Sequence, residues 1–282
     1  MISTRDALEL LSSGLGWTYF LIWSVSWYPL IIHNYQRSST VGCSFDSAVL
    51  RVIGMSAYTV FNGGLLFIPV VRAQYAQRHP ASPEPPVHMS DFLYALHGTL
   101  ICLLLYSQFM FPGMWGFETQ LEDPDHDKKG KAQKPELSTV TSFLLCGCLG
   151  LVLLDVMAVL CSSSQELIDV LYLLSTIKVS LTAVKYTPQA WMNYRRRSTA
   201  GISIIAILMD FTGGILSLIQ LLIDASLQGD WSGISGNAPK LMLGNITILY
   251  DVIFTTQYFC LYPRKARREI TGQLDERDRL LV

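Results

Sequence analysis

At 282 residues the chain has room for two soluble domains, but half of its residues are hydrophobic, only 15% are charged and the mean hydropathy is +0.34, a balance that belongs in a bilayer. A net charge of −1 says nothing about nucleic acid, and none is expected as a partner. Of 21 Lys and Arg, only Arg51, Lys178 and Lys185 lie well inside apolar stretches; the rest sit in gaps and tails.

A spanning helix needs about 20 largely apolar residues. Seven segments qualify: 11–33, 45–71, 90–112, 138–161, 166–192, 202–227 and 239–262. No separate cleavable signal peptide is expected before the first, and Met1 to Ser13 is expected to be too short for a folded lumenal domain. Orientation follows from the basic residues. Arg37, the lysines at 128, 129, 131 and 134, Arg195 to Arg197 and the six basic tail residues share one side, against Arg5, Arg72, Arg78 and Lys240 on the other. That bias predicts a lumenal N-terminus and a cytosolic C-terminus. The charged stretch 117–137 reads as a solvated linker.

A stretch of the fifth segment repeats the first. An offset of 159 residues pairs Pro29 with Pro188, Asn34 with Asn193, Tyr35 with Tyr194, Arg37 with Arg196, Ser39 with Ser198, Thr40 with Thr199, Gly42 with Gly201, Ser44 with Ser203 and Gly54 with Gly213. Four crossings separate the copies, so they point the same way through the membrane. The fold class expected is an all-α membrane protein of seven transmembrane helices, two parallel three-helix repeats joined by an inverting linker helix (3+1+3). Its parts are a first repeat over 1–112, a loop and linker helix over 113–165, a second repeat over 166–262 and a tail over 263–282.

Pro29 and Pro188 each remove a backbone donor near the cytosolic end of an apolar run. They read as hinges, with a fixed kink as the alternative. Charges inside the membrane carry more weight, because each costs at least about 2.5–3.5 kcal/mol at mid-helix and rarely faces lipid. They are Arg51, Asp155, Asp169, Lys178, Lys185, Asp210 and Asp251, with Asp91 near the start of the third segment. Lys178 and Lys185 are seven apart, on one helix face. Asp210 opens D-F-T-G-G, whose glycines let a neighbouring backbone approach. Structural Lys–Asp pairing is the bland alternative. Burial and a neighbouring lysine pull a carboxyl's proton affinity in opposite directions, so Asp91, Asp210 and Asp251 are the proton-coupling candidates.

His97 reads as a packing residue before a proton relay. The six cysteines read as small packing residues, since Cys146-x-Cys148 lacks metal-ligand spacing. Trp17, Trp23, Trp27, Tyr28, Trp191 and Tyr194 suit an interfacial belt in part, while Trp23 and Trp27, one turn apart, could also line a pocket. No P-loop, H-E-x-x-H or nucleophile elbow is present, so the chain is not expected to be an enzyme or to need a cofactor or metal beyond coupling protons. Glu276, followed by Leu280 and Leu281, resembles an acidic dileucine signal read by clathrin adaptors.

At Tyr186-Thr187-Pro188-Gln189 the chain resembles the PQ-loop family, and within it the branch that exports cystine from lysosomes. The likeness covers nearly all seven segments. It is carried by G-W-T-Y-F-L-I-W-S-V-S-W-Y-P (16–29), V-G-C-S-F-D (41–46), A-Y-T-V-F-N (57–62), V-K-Y-T-P-Q-A-W-M-N-Y (184–194), L-M-D-F-T-G-G (208–214), Y-D-V-I-F (250–254) and Q-Y-F-C-L-Y (257–262). The resemblance implies proton-coupled export of L-cystine from a lysosomal, late-endosomal or vacuolar lumen. Asp210 would bind substrate and couple it to protons, with Asp91 and Asp251 as acidic proton positions. Trp23, Asn62, Lys178, Lys185, Gln189, Asn193 and Lys240 would serve as pocket or gate residues. Two positions depart from the pattern: Leu30 follows Pro29 where the family has Gln, and Ala206 stands where an Asn is expected. A cationic amino acid exporter of the same fold, or a seven-helix receptor for lumenal peptides, remains the competing expectation.

Overall fold

The computed structural model describes residues 4–36, 38–40, 43–117, 136–161, 165–197, 199, 204–228 and 238–262. Within the helices, the side chains of His33, Pro188, Gln189, Met192, Arg196, Gln228, Ala238 and Pro239 lie outside that description. The helices are α1 (Thr4–Gln36), α2 (Phe45–Phe67), α3 (Pro69–Arg78), α4 (Met89–Met110), α5 (Thr139–Cys161), α6 (Leu167–Arg196), α7 (Ile204–Gln228) and α8 (Ala238–Thr256). A 3₁₀ turn follows α4 at Pro112–Trp115, and a π-helical turn continues α8 over Gln257–Leu261.

Six of these helices, α1, α2, α4, α5, α6 and α7, are long and apolar enough to cross a membrane. The chain is therefore a multi-pass membrane protein. The seventh expected segment is α8, a helix of 19 residues carrying Lys240, Asn245 and Asp251, whose polar load keeps it outside that set. The second expected segment divides: α2 ends at Phe67, extended backbone at Ile68 (φ −93°, ψ 111°) intervenes, and Pro69 starts the short helix α3, where its missing donor is harmless.

Each half has one plan. In the first, α4 packs against both α1 and α2; in the second, α8 packs against both α6 and α7. Between halves, α1 packs on α7 and α2 on α6. The glycines of the sequence repeat sit at these reciprocal seams. A Cβ at Gly213 would lie 2.5 Å from Nε1 of Trp23 on α1, and one at Gly54 would lie 3.5 Å from Cδ of Lys178 on α6. Helix α5 packs on α6 and otherwise presents an apolar surface, as a linker helix in lipid would.

The backbone repeats as well. Ser38 (φ 47°) and Arg197 (φ 51°) are the two non-glycine residues with positive φ among those described, and they are 159 positions apart. Arg197 caps α6 in the left-handed conformation, normally a glycine's role, and Ser38 adopts the same conformation shortly after α1. Neither α1 nor α6 breaks at its proline: α1 runs to Gln36 and α6 to Arg196, about two turns further. An amide clamp holds each of these final turns. Asn34 Nδ2 donates to Gln108 Oε1 at 3.0 Å, and Gln108 Nε2 donates to the Ile31 carbonyl at 3.2 Å. In the second half Asn193 Nδ2 donates to Gln257 Oε1 at 2.8 Å, and Gln257 Nε2 to the Ala190 carbonyl at 3.0 Å. Ile31 and Ala190 share the 159-residue offset too.

Candidate functional site

A cavity of about 360 Å³ lies between the halves, within the range of small-molecule sites. Five helices supply its charges: Arg51 from α2, Lys178 and Lys185 from α6, Asp210 from α7, Lys240 and Asp251 from α8, and Asp91 from α4 at one end. Aromatic rings from Trp23, Trp27, Tyr19, Tyr94 and Tyr186 form much of the remaining wall.

Helix rise at 1.5 Å per residue fixes the depth of each group. Asp91 and Lys240 lie within the first turn of α4 and α8, at the end of the bundle that carries α3. Arg51 and Asp210 lie in the second turn of α2 and α7, at the opposite end where the repeated turns sit. Lys178 is near the middle.

At the α3 end an ionic network joins the halves. Lys240 Nζ is 2.9 Å from Asp91 Oδ1, both side chains being 2% exposed, and donates to Gln220 Oε1 at 2.7 Å. Tyr19 also donates to Asp91, and the His88 amide donates to Asp91 Oδ2 at 2.8 Å, capping α4. Gln220 Nε2 reaches the Ser12 carbonyl at 3.0 Å. One layer further out, Asp224 Oδ2 is 2.7 Å from His88 Nε2, and its Oδ1 accepts from Ser12 at 2.5 Å. The hydrogen bond to Asp224 raises the affinity of His88 for its proton, and burial opposes that effect. A separate fork ties α3 to α6: Arg78 Nη1 and Nη2 meet Asp169 at 2.5 and 2.9 Å, and Nε meets Glu166 at 3.0 Å.

In the rest of the cavity the charges stand apart. Asp210 accepts from the Tyr186 hydroxyl at 2.8 Å, and its carbonyl accepts from Trp23 Nε1 at 3.0 Å. Asp251 is buried, and its Oδ2 has no hydrogen-bond partner among the described residues. Lys178 Nζ rests 3.2 Å from Met55 Sδ, and Lys185 Nζ lies 4.2 Å above the Tyr186 ring. Among the described residues none of these lysines is within ion-pair distance of a carboxylate.

Of the residues singled out from sequence, Trp23, Lys178, Lys185, Asp210, Lys240, Asp91 and Asp251 line this cavity. Asn62 does not; its Nδ2 donates to the Tyr58 carbonyl at 2.8 Å inside α2. Asn193 is in the clamp with Gln257. The Gln189 side chain and the tail residues Glu276, Leu280 and Leu281 lie outside the described residues, as does the side chain of Pro188; Pro29 is exposed on α1. His97 pairs with the Tyr28 hydroxyl at 2.9 Å, away from the cavity. Asp155 is on α5, apart from the site. Ala206 is part of the wall, so the missing amide bears on the cavity itself. Sequence reasoning did not single out Tyr186, Gln220, His88 or Asp224, because a lone hydroxyl, amide or loop histidine leaves no periodic trace.

A PQ loop repeat is matched at residues 11–67 and again at 170–230, so the chain is a multi-pass membrane protein built on that repeat. Cystinosin of Bos taurus is 35% identical over 265 residues, covering 94% of this chain and 67% of the bovine protein. Cystinosin of Drosophila melanogaster is 36% identical over 277 residues, 97% of this chain and 64% of its own length. A cystine transporter of Saccharomyces cerevisiae is 27% identical over 258 residues, 89% of this chain and 94% of the yeast protein. The chain belongs to the cystinosin family. It spans about two thirds of the length of the bovine and fly relatives.

Proposed function

We propose that this protein exports cystine from the lumen of an acidic organelle, the lysosome, to the cytosol, coupled to protons and working by alternating access. The observation that carries the reading is the charged cavity between the halves, lined by cations from α2 and α6 and by the carboxylates of Asp210 and Asp251. Cystine has two ammonium and two carboxylate groups, and such walls complement both. The relatives named for cystine support the choice of substrate.

In this reading α8 is the seventh crossing, the α3 end faces the lumen and the turn end faces the cytosol. The Lys240–Asp91 pair acts as the lumenal gate, since it joins α4 of one half to α8 of the other and must part if the halves rock. Protonation of Asp91 removes its side of the attraction; protonation of Asp210 and Asp251 sets the charge of the chamber. One proton moving down two pH units supplies about 2.7 kcal/mol, at 1.36 kcal/mol per unit, enough to concentrate a co-transported solute roughly a hundredfold. The tail motif at Glu276, Leu280 and Leu281 would bring the protein to lysosomes through clathrin adaptors.

The test is uptake of labelled cystine, in acidic medium, into cells carrying the Leu280→Ala, Leu281→Ala protein at their surface. Asp210→Asn should abolish proton-driven uptake while surface delivery is unchanged; unaltered uptake refutes the assignment. Strong competition by lysine and arginine would favour a cationic amino acid exporter instead.

A further inference from the structure

Setting aside the Lys240–Asp91 pair, the cavity holds three cations, Arg51, Lys178 and Lys185, against two carboxylates, Asp210 and Asp251. None of the three is in an ion pair among the described residues. Arg51 is the one contributed by the first half. Its guanidinium lies 5.7 Å from the centre of the Trp27 ring, and Nε is 3.5 Å from Ser47 Oγ. The ring holds its face, and the two Nη atoms have no hydrogen-bond partner among the described residues. A guanidinium inside a membrane protein ordinarily pairs with a carboxylate or phosphate through its planar fork.

We propose that Arg51 is a specificity residue of the central site, reading a carboxylate of the transported molecule. The ligand class this selects is an amino acid bearing two well-separated carboxylates, with its acid groups met by Arg51, Lys178 and Lys185 and its amines by Asp210 and Asp251. Cystine belongs to that class; lysine, arginine and the decarboxylated disulfide cystamine do not. The inference rests on the transport reading above and narrows its substrate, and it places one carboxylate contact on each half of the bundle: Arg51 on the first, Lys178 and Lys185 on the second. Bound substrate would then bridge the two halves.

The experiment measures ligand-induced thermal stabilisation of purified protein in phosphatidylcholine nanodiscs, with cystine, glutamate, lysine and cystamine as probes. Wild-type protein should respond to cystine and not to cystamine. Arg51→Gln should raise the half-saturating cystine concentration about tenfold or more, the loss of a charge-assisted bond, with Arg51→Lys in between. An unchanged cystine constant in Arg51→Gln, or equal binding of cystamine and cystine by the wild type, overturns the assignment even where cystine flux is intact. Should the wild type ignore cystine yet bind glutamate through Arg51, the cystine reading falls and the role of Arg51 stands. Where Arg51→Gln is not recovered folded, Arg51→Lys decides: it keeps the charge and loses the fork, so an unchanged constant overturns the proposal.

Discussion

Asn34 donates a hydrogen bond from Nδ2 to Oε1 of Gln108 at 3.0 Å, and 159 residues on Asn193 does the same to Gln257. Each pair is buried and lies within one half, joining α1 to α4 in the first and α6 to the turn that continues α8 in the second. A buried amide left without its partner costs about 1–3 kcal/mol. Asn34→Ala and Asn193→Ala should each lower stability by about that much in unfolding measurements on the solubilised protein. The two clamps have different glutamine partners, so the losses should add. A loss in only one half would show that the second clamp bears no load.

Gly213 meets the Trp23 indole so closely that a Cβ would lie 2.5 to 2.8 Å from three of its atoms. Overpacking of this kind costs about 1–3 kcal/mol. Gly213→Ala should therefore reduce the melting temperature, whereas Gly147→Ala, where nothing lies within 4 Å of the new methyl, should not. Restoration by a smaller side chain at Trp23 would identify the seam between α1 and α7 as the cause.

Lys240 and Asp91 are buried together, so removing one leaves an uncompensated charge, at a cost of about 3–5 kcal/mol. Lys240→Met should sharply reduce the folded yield, and the added change Asp91→Asn should recover much of it. The check is a double-mutant cycle on thermal stability; strict additivity would mean that the pair is not coupled.

His88 gives a pH dependence with a definite sign. Its proton affinity in the folded protein is raised by Asp224, with Asp91 adding to the effect and Lys240 opposing it; Ser12, the other neighbour of Asp224, is uncharged. A raised value means that the His88–Asp224 contact contributes fully below about pH 6.5, the ordinary histidine value, and is lost as pH rises through the folded-state value. The stability difference between wild type and His88→Gln should thus be largest in acid and shrink toward pH 8. Melting curves across that range, in the same nanodiscs, would reveal a difference that stays flat if the pair does not titrate.

Changing Leu280 and Leu281 to Ala should move the protein to the cell surface, as read by surface biotinylation. An unchanged distribution removes the sorting role.

Sequence alone determined the helical membrane class, the two repeats and the charged residues that must avoid lipid, because spanning length, charge cost and a constant offset are properties of the chain in one dimension. It also marked the glycines at 54 and 213. What it left open was partnership. Asn193, expected at the pocket, instead closes a clamp with Gln257; Asn62 bonds within its own helix. Asp169, one more intramembrane acid in the sequence, meets Arg78 at the end of the bundle, while Arg51 is left with no carboxylate among the described residues. Which charge finds a partner depends on the rotation and depth of helices more than a hundred residues apart, and only the packing of α1 on α7 and of α2 on α6 decides that.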